Sequence, residues 1–350
     1  MEIKLSSNLA INILVFIIFP ILIFYKAKFY KNKEYNINNL VKSNTDALKG
    51  LSVIIVILSH ISMFTINKGI MAHIFINTGF LAVAVFLFVS GYGLAEQFRK
   101  RKNYLNGFVL DKIVRLYLIF FISNIIVTIL NNYFLGSNYN IKNILISSVS
   151  MNFANGRELW FVAAILFFYL AFYISFKYFK DKNSMILICI FLIIYILLCK
   201  KIGKGTWWYN TAICFPIGVL LSFNKDKIFN FIKEKYIINL FLSILLFTIS
   251  MFLYIRGYSK LQFIIPIIFI YFVYTALIKI EINSKSMCYI NKISFEMYLI
   301  HLIVLQIAFK DDITRNSIYL VALFPIMIVL SIITKWICDT LFKSIKRILD

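Results

Sequence analysis

Hydrophobic and polar positions alternate along this chain in long blocks, with apolar runs separated by short basic stretches. The first run is Leu9–Tyr25. Ten more follow near Leu48–Ile66, Ile74–Ala95, Ile113–Leu135, Leu159–Phe176, Met185–Cys199, Trp208–Phe223, Ile237–Ile255, Phe263–Ile280, Ile290–Phe309 and Ile318–Phe342. A helix needs about 20 consecutive apolar residues to cross a hydrocarbon core, so the pattern predicts an all-α, polytopic integral membrane protein with about 11 transmembrane helices. Leu9–Tyr25 is long for a signal-peptide core. It has no A-x-A-like cleavage site, and its lysines (Lys26, Lys28, Lys31, Lys33) follow it, so it reads as a retained helix. No internal repeat, Gly/Ser linker or appended soluble domain interrupts the pattern.

Composition agrees with the pattern: 61% of the 350 residues are hydrophobic, and the mean hydropathy is +0.85. The net charge of +22 would suggest nucleic acid in a soluble protein. Here the basic residues lie between apolar runs, so they speak for topology and for contact with anionic membrane lipids, with no nucleic-acid partner. On alternate sides of the eleven runs the Lys and Arg residues divide 26 to 11. The richer side holds residues 26–49, 96–115, 177–183, 224–236, 279–292 and 335–350. By the positive-inside rule that side is cytoplasmic, which puts the N-terminus outside and the C-terminus inside a cell (plasma) membrane. Cys189, Cys199, Cys214, Cys288 and Cys338 form no C-x-x-C pair and read as small buried hydrophobes, so neither a metal site nor a disulfide framework is expected.

Against this background the histidines matter most. Asp46–His60 reads DALKGLSVIIVILSH, and His60 lies eleven residues, roughly 16 Å of helix, beyond Lys49. The run after Lys292 carries SFEMYLIH, with His301 nine residues in, roughly 14 Å. Two of three histidines are thus expected at similar depth on different helices, where an ionisable side chain is functional by default. A packing histidine satisfied inside the bundle is the competing reading. His73, in a short outer loop, reads as solvated. Ser294, Tyr298 and His301 share one helix face, at i, i+4 and i+7. Glu296 lies about half a turn away and should pair with Lys49, Arg115 or another base, either as a structural salt bridge or to tune a histidine. Phe86 to Gly93 reads FLFVSGYG, in which Gly91 and Gly93 permit close helix approach. A basic stretch follows with Arg99, Lys100, Arg101, Lys102, Lys112 and Arg115. It suits the inner face of a membrane and equally a phosphorylated ligand. The fifth run opens Arg157-Glu158-Leu159-Trp160-Phe161; Trp160, Trp207, Trp208, Tyr209 and Trp336 suit an interfacial aromatic belt.

Taken together these motifs resemble membrane acyltransferase family 3, which includes polysaccharide O-acetyltransferases. Its D-x-L-R-G…V-x-x-x-H element is met by Asp46, Leu48, Lys49, Gly50, Val56 and His60, with Lys49 in place of Arg. F-F-x-x-S-G-Y is met by Phe86–Tyr92, with Leu87 for one Phe. K-R-I-x-R-L-Y is similar to Lys112–Tyr117, L-W-F to Leu159–Phe161, and S-Y-x-x-Y-L-x-H to Ser294–His301. The resemblance covers about residues 42–342. Lys49 keeps the charge but loses a bidentate fork. Residues 161–169 lack the W-S-L-x-x-E pattern of one large branch.

The resemblance implies two parts. Residues 1–41 would form an extra N-terminal transmembrane helix and basic cytoplasmic loop. Residues 42–350 would form the membrane acyltransferase domain, a ten-helix core without an extracytoplasmic hydrolase-like domain. It further implies O-acyl transfer, with acetyl as the expected group, from an acyl-CoA donor (acetyl-CoA, used as substrate, with no permanently bound cofactor) to a hydroxyl of a cell-surface glycan or lipid-linked saccharide. An alcohol needs a base at neutral pH, and imidazole titrates in that range. His60 would be that base or a transient acyl carrier, with His301 orienting it or sharing its proton. Tyr298 or Ser90 would donate to the developing oxyanion. Lys49, Lys112 and Arg115 would hold CoA phosphates, and Asp46, Gly91, Tyr92, Trp160, Ser294 and Glu296 would support the site. The alternative is a glycan or lipid-precursor transporter or flippase lined by the same polar residues, although no paired arrangement of Pro20, Pro216, Pro266 and Pro325 marks broken repeat helices.

Overall fold

The structure is a computed structural model. It describes the chain except Asn32, Arg157, Glu158, Lys180, Asp312 and Asp350, together with the side chains of Asp181 and Leu349. Strand β1 (Leu5–Ser7) leads into α1 (Leu9–Ile13), a π turn at Leu14–Ile18, and α2 (Phe19–Phe24). Pro20 has no N–H to return to the Phe16 carbonyl and its ring crowds that carbonyl, which accounts for the widened ladder around it. Then come β2 (Lys28–Phe29), α3 (Lys42–Phe64), the short α4 (Ile70–Phe75) and α5 (Gly79–Lys100). A second π turn, Val109–Val114, opens α6 (Arg115–Leu135), followed by α7 (Ile141–Val149), α8 (Trp160–Tyr178) and α9 (Asp181–Lys201). The rest of the chain holds α10 (Cys214–Glu234), α11 (Tyr236–Ile255), α12 (Ile265–Leu277), β3 (Ile280–Glu281), α13 (Lys285–Asn291), α14 (Ser294–Ala308), β4 (Arg315–Asn316) and α15 (Ser317–Leu349).

The molecule is all-helical, and each of the eleven apolar runs contains helix. The helices are not equivalent, however. Among the described residues, seven are long and apolar enough to cross a membrane, or eight if α13 and α14, bent by 75°, form one span. Leu9–Phe24 and α12 are shorter, and α10 carries Lys225, Asp226, Lys227, Lys233 and Glu234. Local chemistry shortens two of these runs. Thr206–Trp208 makes a 3-10 turn, so α10 starts at Cys214, and Pro266 begins α12 in the first turn, where its missing N–H costs nothing.

Close backbone approach holds the centre together. α5 packs along α10 more extensively than any other pair. A Cβ at Gly91 would collide with the Phe215 carbonyl, and one at Gly218 with the Phe88 carbonyl. Such close contact strengthens the van der Waals attraction between the two helices. At the C-terminal end of α5 in this seam Glu96, 6% exposed, meets Arg99 (3.0 Å), Lys100 (3.0 Å), Lys225 (3.6 Å) and the Ser222 hydroxyl (2.8 Å).

The first 41 residues are fastened to the remainder rather than set apart from it. β1 pairs in parallel with β4, and β2 antiparallel with β3. The Ala10 N–H donates to Ser317 Oγ (3.1 Å), and the Ser284 hydroxyl donates to the Leu22 carbonyl (2.6 Å). Beside β2, the Tyr30 hydroxyl donates to Glu281 Oε2 (2.9 Å), and the adjacent carboxylate holds that phenol above its ordinary pKa.

Candidate active site

The site begins at the start of α3. Asn44 is fully buried; its amide donates to the Asn39 carbonyl (2.8 Å) and its Oδ1 accepts from the Ile282 N–H (2.7 Å). That bond fixes the segment entering α13 against the first turn of α3. Two turns on, Gly50 lets the α13 backbone cross α3 directly, since any Cβ there would overlap the Met287 carbonyl. Lys292 and Ile293 then turn the chain by 75° into α14, which runs beside α3. The single helix expected over Ile290–Phe309 is therefore two pieces, and the bend aims α14 at α3.

The consequence is a contact between His60 and His301, 241 residues apart. His60 Nδ1 lies 2.8 Å from His301 Nε2, and the rings stack at 4.9 Å with 17° between their planes. His301 is fully buried and His60 half-buried. The backbone assigns the protons. His301 Nδ1 is 3.1 Å from the Met297 carbonyl, which can only accept, so Nδ1 carries the hydrogen. In the neutral ring Nε2 then accepts from His60 Nδ1–H, and the lone pair of His60 resides on Nε2. Met297, one helical turn before His301, thus defines the basic nitrogen of a ring on another helix.

A cavity of about 220 Å³ is walled by Phe86, Leu116, Phe161, Ile165 and Phe295, with Lys49, Ser90, Tyr169, Asn291, Ser294 and Tyr298 as its polar members; Tyr298, rather than either histidine, links it to the pair. Tyr298 belongs to both regions: its ring is 6.1 Å from that of His301 and 5.2 Å from that of Phe161. The expected face of Ser294, Tyr298 and His301 is thus the face that lines the cavity and reaches the pair. Ser90 and Tyr169 line the cavity together.

Basic residues gather near the starts of α3 and α6. Lys49 lies within electrostatic reach of Asp46 and Lys112, and Lys112 within reach of Arg115 and Arg101. Their partners differ. Asp46 pairs with exposed Lys42 (3.4 Å), whereas Arg115 is held by Asp339 at 2.6 Å. Glu296, 2% exposed, faces Lys335 of α15 at 3.9 Å, and Lys335 also meets Asp339 (3.5 Å). Its partner is neither of the bases named from the sequence. Lys112 sits in the π turn before α6; such turns re-aim side chains and are frequent at functional sites.

The other sequence candidates occupy supporting positions. Gly91 makes the α5–α10 seam, and Tyr92 points with Glu96 and Tyr274 toward a separate polar pocket. Trp160 packs on Phe161 (6.3 Å). Arg157 and Glu158 lie outside the described residues. Among the described residues no cluster of His, Cys, Asp and Glu could hold a metal ion.

Four contributors escaped the sequence reading: Tyr169, Asn291, the Met297 carbonyl and Asn124. Asn124 is fully buried in α6. It donates to Ser147 Oγ (2.8 Å) and Ser148 Oγ (2.9 Å) and accepts from the Ala154 N–H (3.0 Å). It ties α7 and the following loop to α6 just before Phe161 enters the cavity wall. An asparagine within an apolar run was the available signal.

In comparison with known protein families, residues 42–336 match the model of an acyltransferase domain. No curated protein and no solved structure gives a match.

Proposed function

Because the chain belongs to acyltransferase family 3, we propose that it is a membrane O-acyltransferase that moves a short acyl group, acetyl, from CoA on the cytoplasmic side to a hydroxyl of a cell-surface or lipid-linked glycan. The observation that carries this reading is the hydrogen-bonded His60–His301 pair beside a small, aromatic-walled cavity.

The cavity is far smaller than CoA but has room for an acyl thioester. The nucleotide would then remain at the basic side, with Lys49 at the cavity and Lys112 and Arg115 beyond it. The acceptor hydroxyl attacks the thioester carbonyl as His60 Nε2 takes its proton. His301, anchored on Met297, keeps the His60 ring in the tautomer that has Nε2 as base, and its own Nε2 can share the acquired charge. Tyr298 and Ser90 supply hydroxyls for the oxyanion. As the carbon–sulfur bond breaks, the proton on Nε2 passes to the departing sulfur, which regenerates the base and releases CoA and ester. The seven or eight candidate spans support membrane residence, and the distribution of basic residues supports an external N-terminus and a cytoplasmic C-terminus.

The test uses inside-out membrane vesicles containing the wild type or His60→Ala, labelled acetyl-CoA and native glycan lipids. Label is expected in an alkali-labile ester with the wild type, and at a level lower by about 10²–10⁴-fold with the variant. Equal labelling by a folded His60→Ala protein would remove His60 from the reaction. An N-acetylimidazole on His60 itself, detected by rapid mixing and mass spectrometry near neutral pH, would replace the general base with an acyl carrier.

A further inference from the structure

The proposed reaction does not use a large apolar cleft on another side of α3. It lies between the N-terminal helix (α1–α2), α3, the bent pair α13–α14 and the first half of α15, with a volume of about 790 Å³. Phe19, Leu22, Met297, Val321, Phe324 and Ile328 are among its walls. Two prolines sit beside it: Pro325 on the α15 wall and Pro20 next to Phe19. Each removes a ladder hydrogen bond, so neither helix presents a regular flat face.

One end of the cleft is different. Through Leu22, Lys285 and Ser286 it continues into a second cleft of about 390 Å³, where Tyr25, Lys26 and Asn283 join the lining. Lys26 and Lys285 are exposed, no acidic residue lines either cleft, and among the described residues neither lysine has a carboxylate partner. The Ser284 bond to the Leu22 carbonyl holds the two lysine-bearing segments together.

We propose that this continuous cleft is a binding site for one anionic phospholipid, its phosphate between Lys26 and Lys285 and its chains along the apolar walls. Charge complementarity selects an anionic headgroup, since juxtamembrane lysines attract phosphate-bearing lipids. Length selects the tail. From Lys26 to Leu14 the N-terminal helix measures about 18 Å at 1.5 Å per residue, slightly more than one leaflet of a ~30 Å hydrocarbon core. A two-chain phospholipid fits that reach, whereas an isoprenoid of bilayer length overruns it. The bound lipid would bridge the N-terminal helix to α13, the segment whose crossing of α3 aims α14.

The inference rests on the membrane residence proposed above, not on acyl transfer, and its test contains no acyl donor. The full chain is extracted from membranes in detergent and examined by native mass spectrometry with added phosphatidylglycerol, phosphatidylcholine or a polyprenyl phosphate. One phosphatidylglycerol is expected to remain at detergent levels that strip phosphatidylcholine. A Lys26→Glu/Lys285→Glu double variant should weaken that retention by about tenfold or more. Ala322→Trp, which fills the apolar part, should abolish it with the lysines intact. Equal retention of phosphatidylglycerol and phosphatidylcholine, unchanged retention in the double variant, or preference for the polyprenyl phosphate would each overturn the proposal. A chain that stays in solution without detergent would overturn membrane residence itself, whatever the lipid result.

Discussion

Two seams in this bundle bury polar groups, and they do so differently. Along α5–α10 the backbones interlock through Gly91 and Gly218, and the one buried acid, Glu96, is surrounded by Arg99, Lys100, Lys225 and Ser222. Beside the α3–α14 seam the same device, Gly50 against Met287 of α13, brings the segments together. There, however, the polar groups form a directed chain, Met297 carbonyl to His301 to His60, which Tyr298 connects to a cavity. A structural polar group is neutralised from several sides. A reactive one is oriented from one side and left with chemical capacity on the other. Burial alone does not separate the two, since Glu96 and His301 are both buried; the direction of the hydrogen bonds does.

The comparison breaks most readily at the histidines. His301→Ala removes the group that orients His60, so kcat should fall by about 10²–10⁴-fold while the detergent-solubilised protein unfolds near the wild-type temperature. A matching fall in stability would make the pair a packing feature of the same kind as the Glu96 cluster. On the other seam the pattern should invert. Glu96→Ala leaves Ser222 without its acceptor and the cations without their centre, and should cost about 2–4 kcal/mol in chemical denaturation with little change in KM. A smaller effect is expected at the cavity wall. Phe161→Ala should reduce the preference for acetyl over butyryl donors by about tenfold, measured as a ratio of kcat/KM values. The smallest effect separates charge from geometry at Lys49. Lys49→Arg should hold the KM for acetyl-CoA within about threefold, whereas Lys49→Ala should raise it by about tenfold.

How much of this was legible in the chain depends on how local each feature is. The apolar runs mark the helices because burial in an apolar medium is written residue by residue. His60 and His301 stood out because an ionisable group deep in such a run is rare, and Ser294, Tyr298 and His301 share a face by helical periodicity alone. Helix starts were less legible: the 3-10 turn at Thr206–Trp208 and the break at Lys292–Ile293 depend on backbone geometry that hydropathy does not register. Ion-pair partners were least legible. Glu296 meets Lys335 and Arg115 meets Asp339, residues of a last helix whose rotation no local pattern reveals.

The sequence by itself therefore determined the all-helical class, the family and the two histidines as candidates, because hydropathy, periodicity and motif order run along the chain. Only the tertiary structure decided that the histidines touch, which nitrogen is basic and which phenols share the cavity with Ser90. Those facts depend on a glycine that admits a crossing backbone, a 75° bend and a carbonyl one turn away, all relations between segments far apart in the chain.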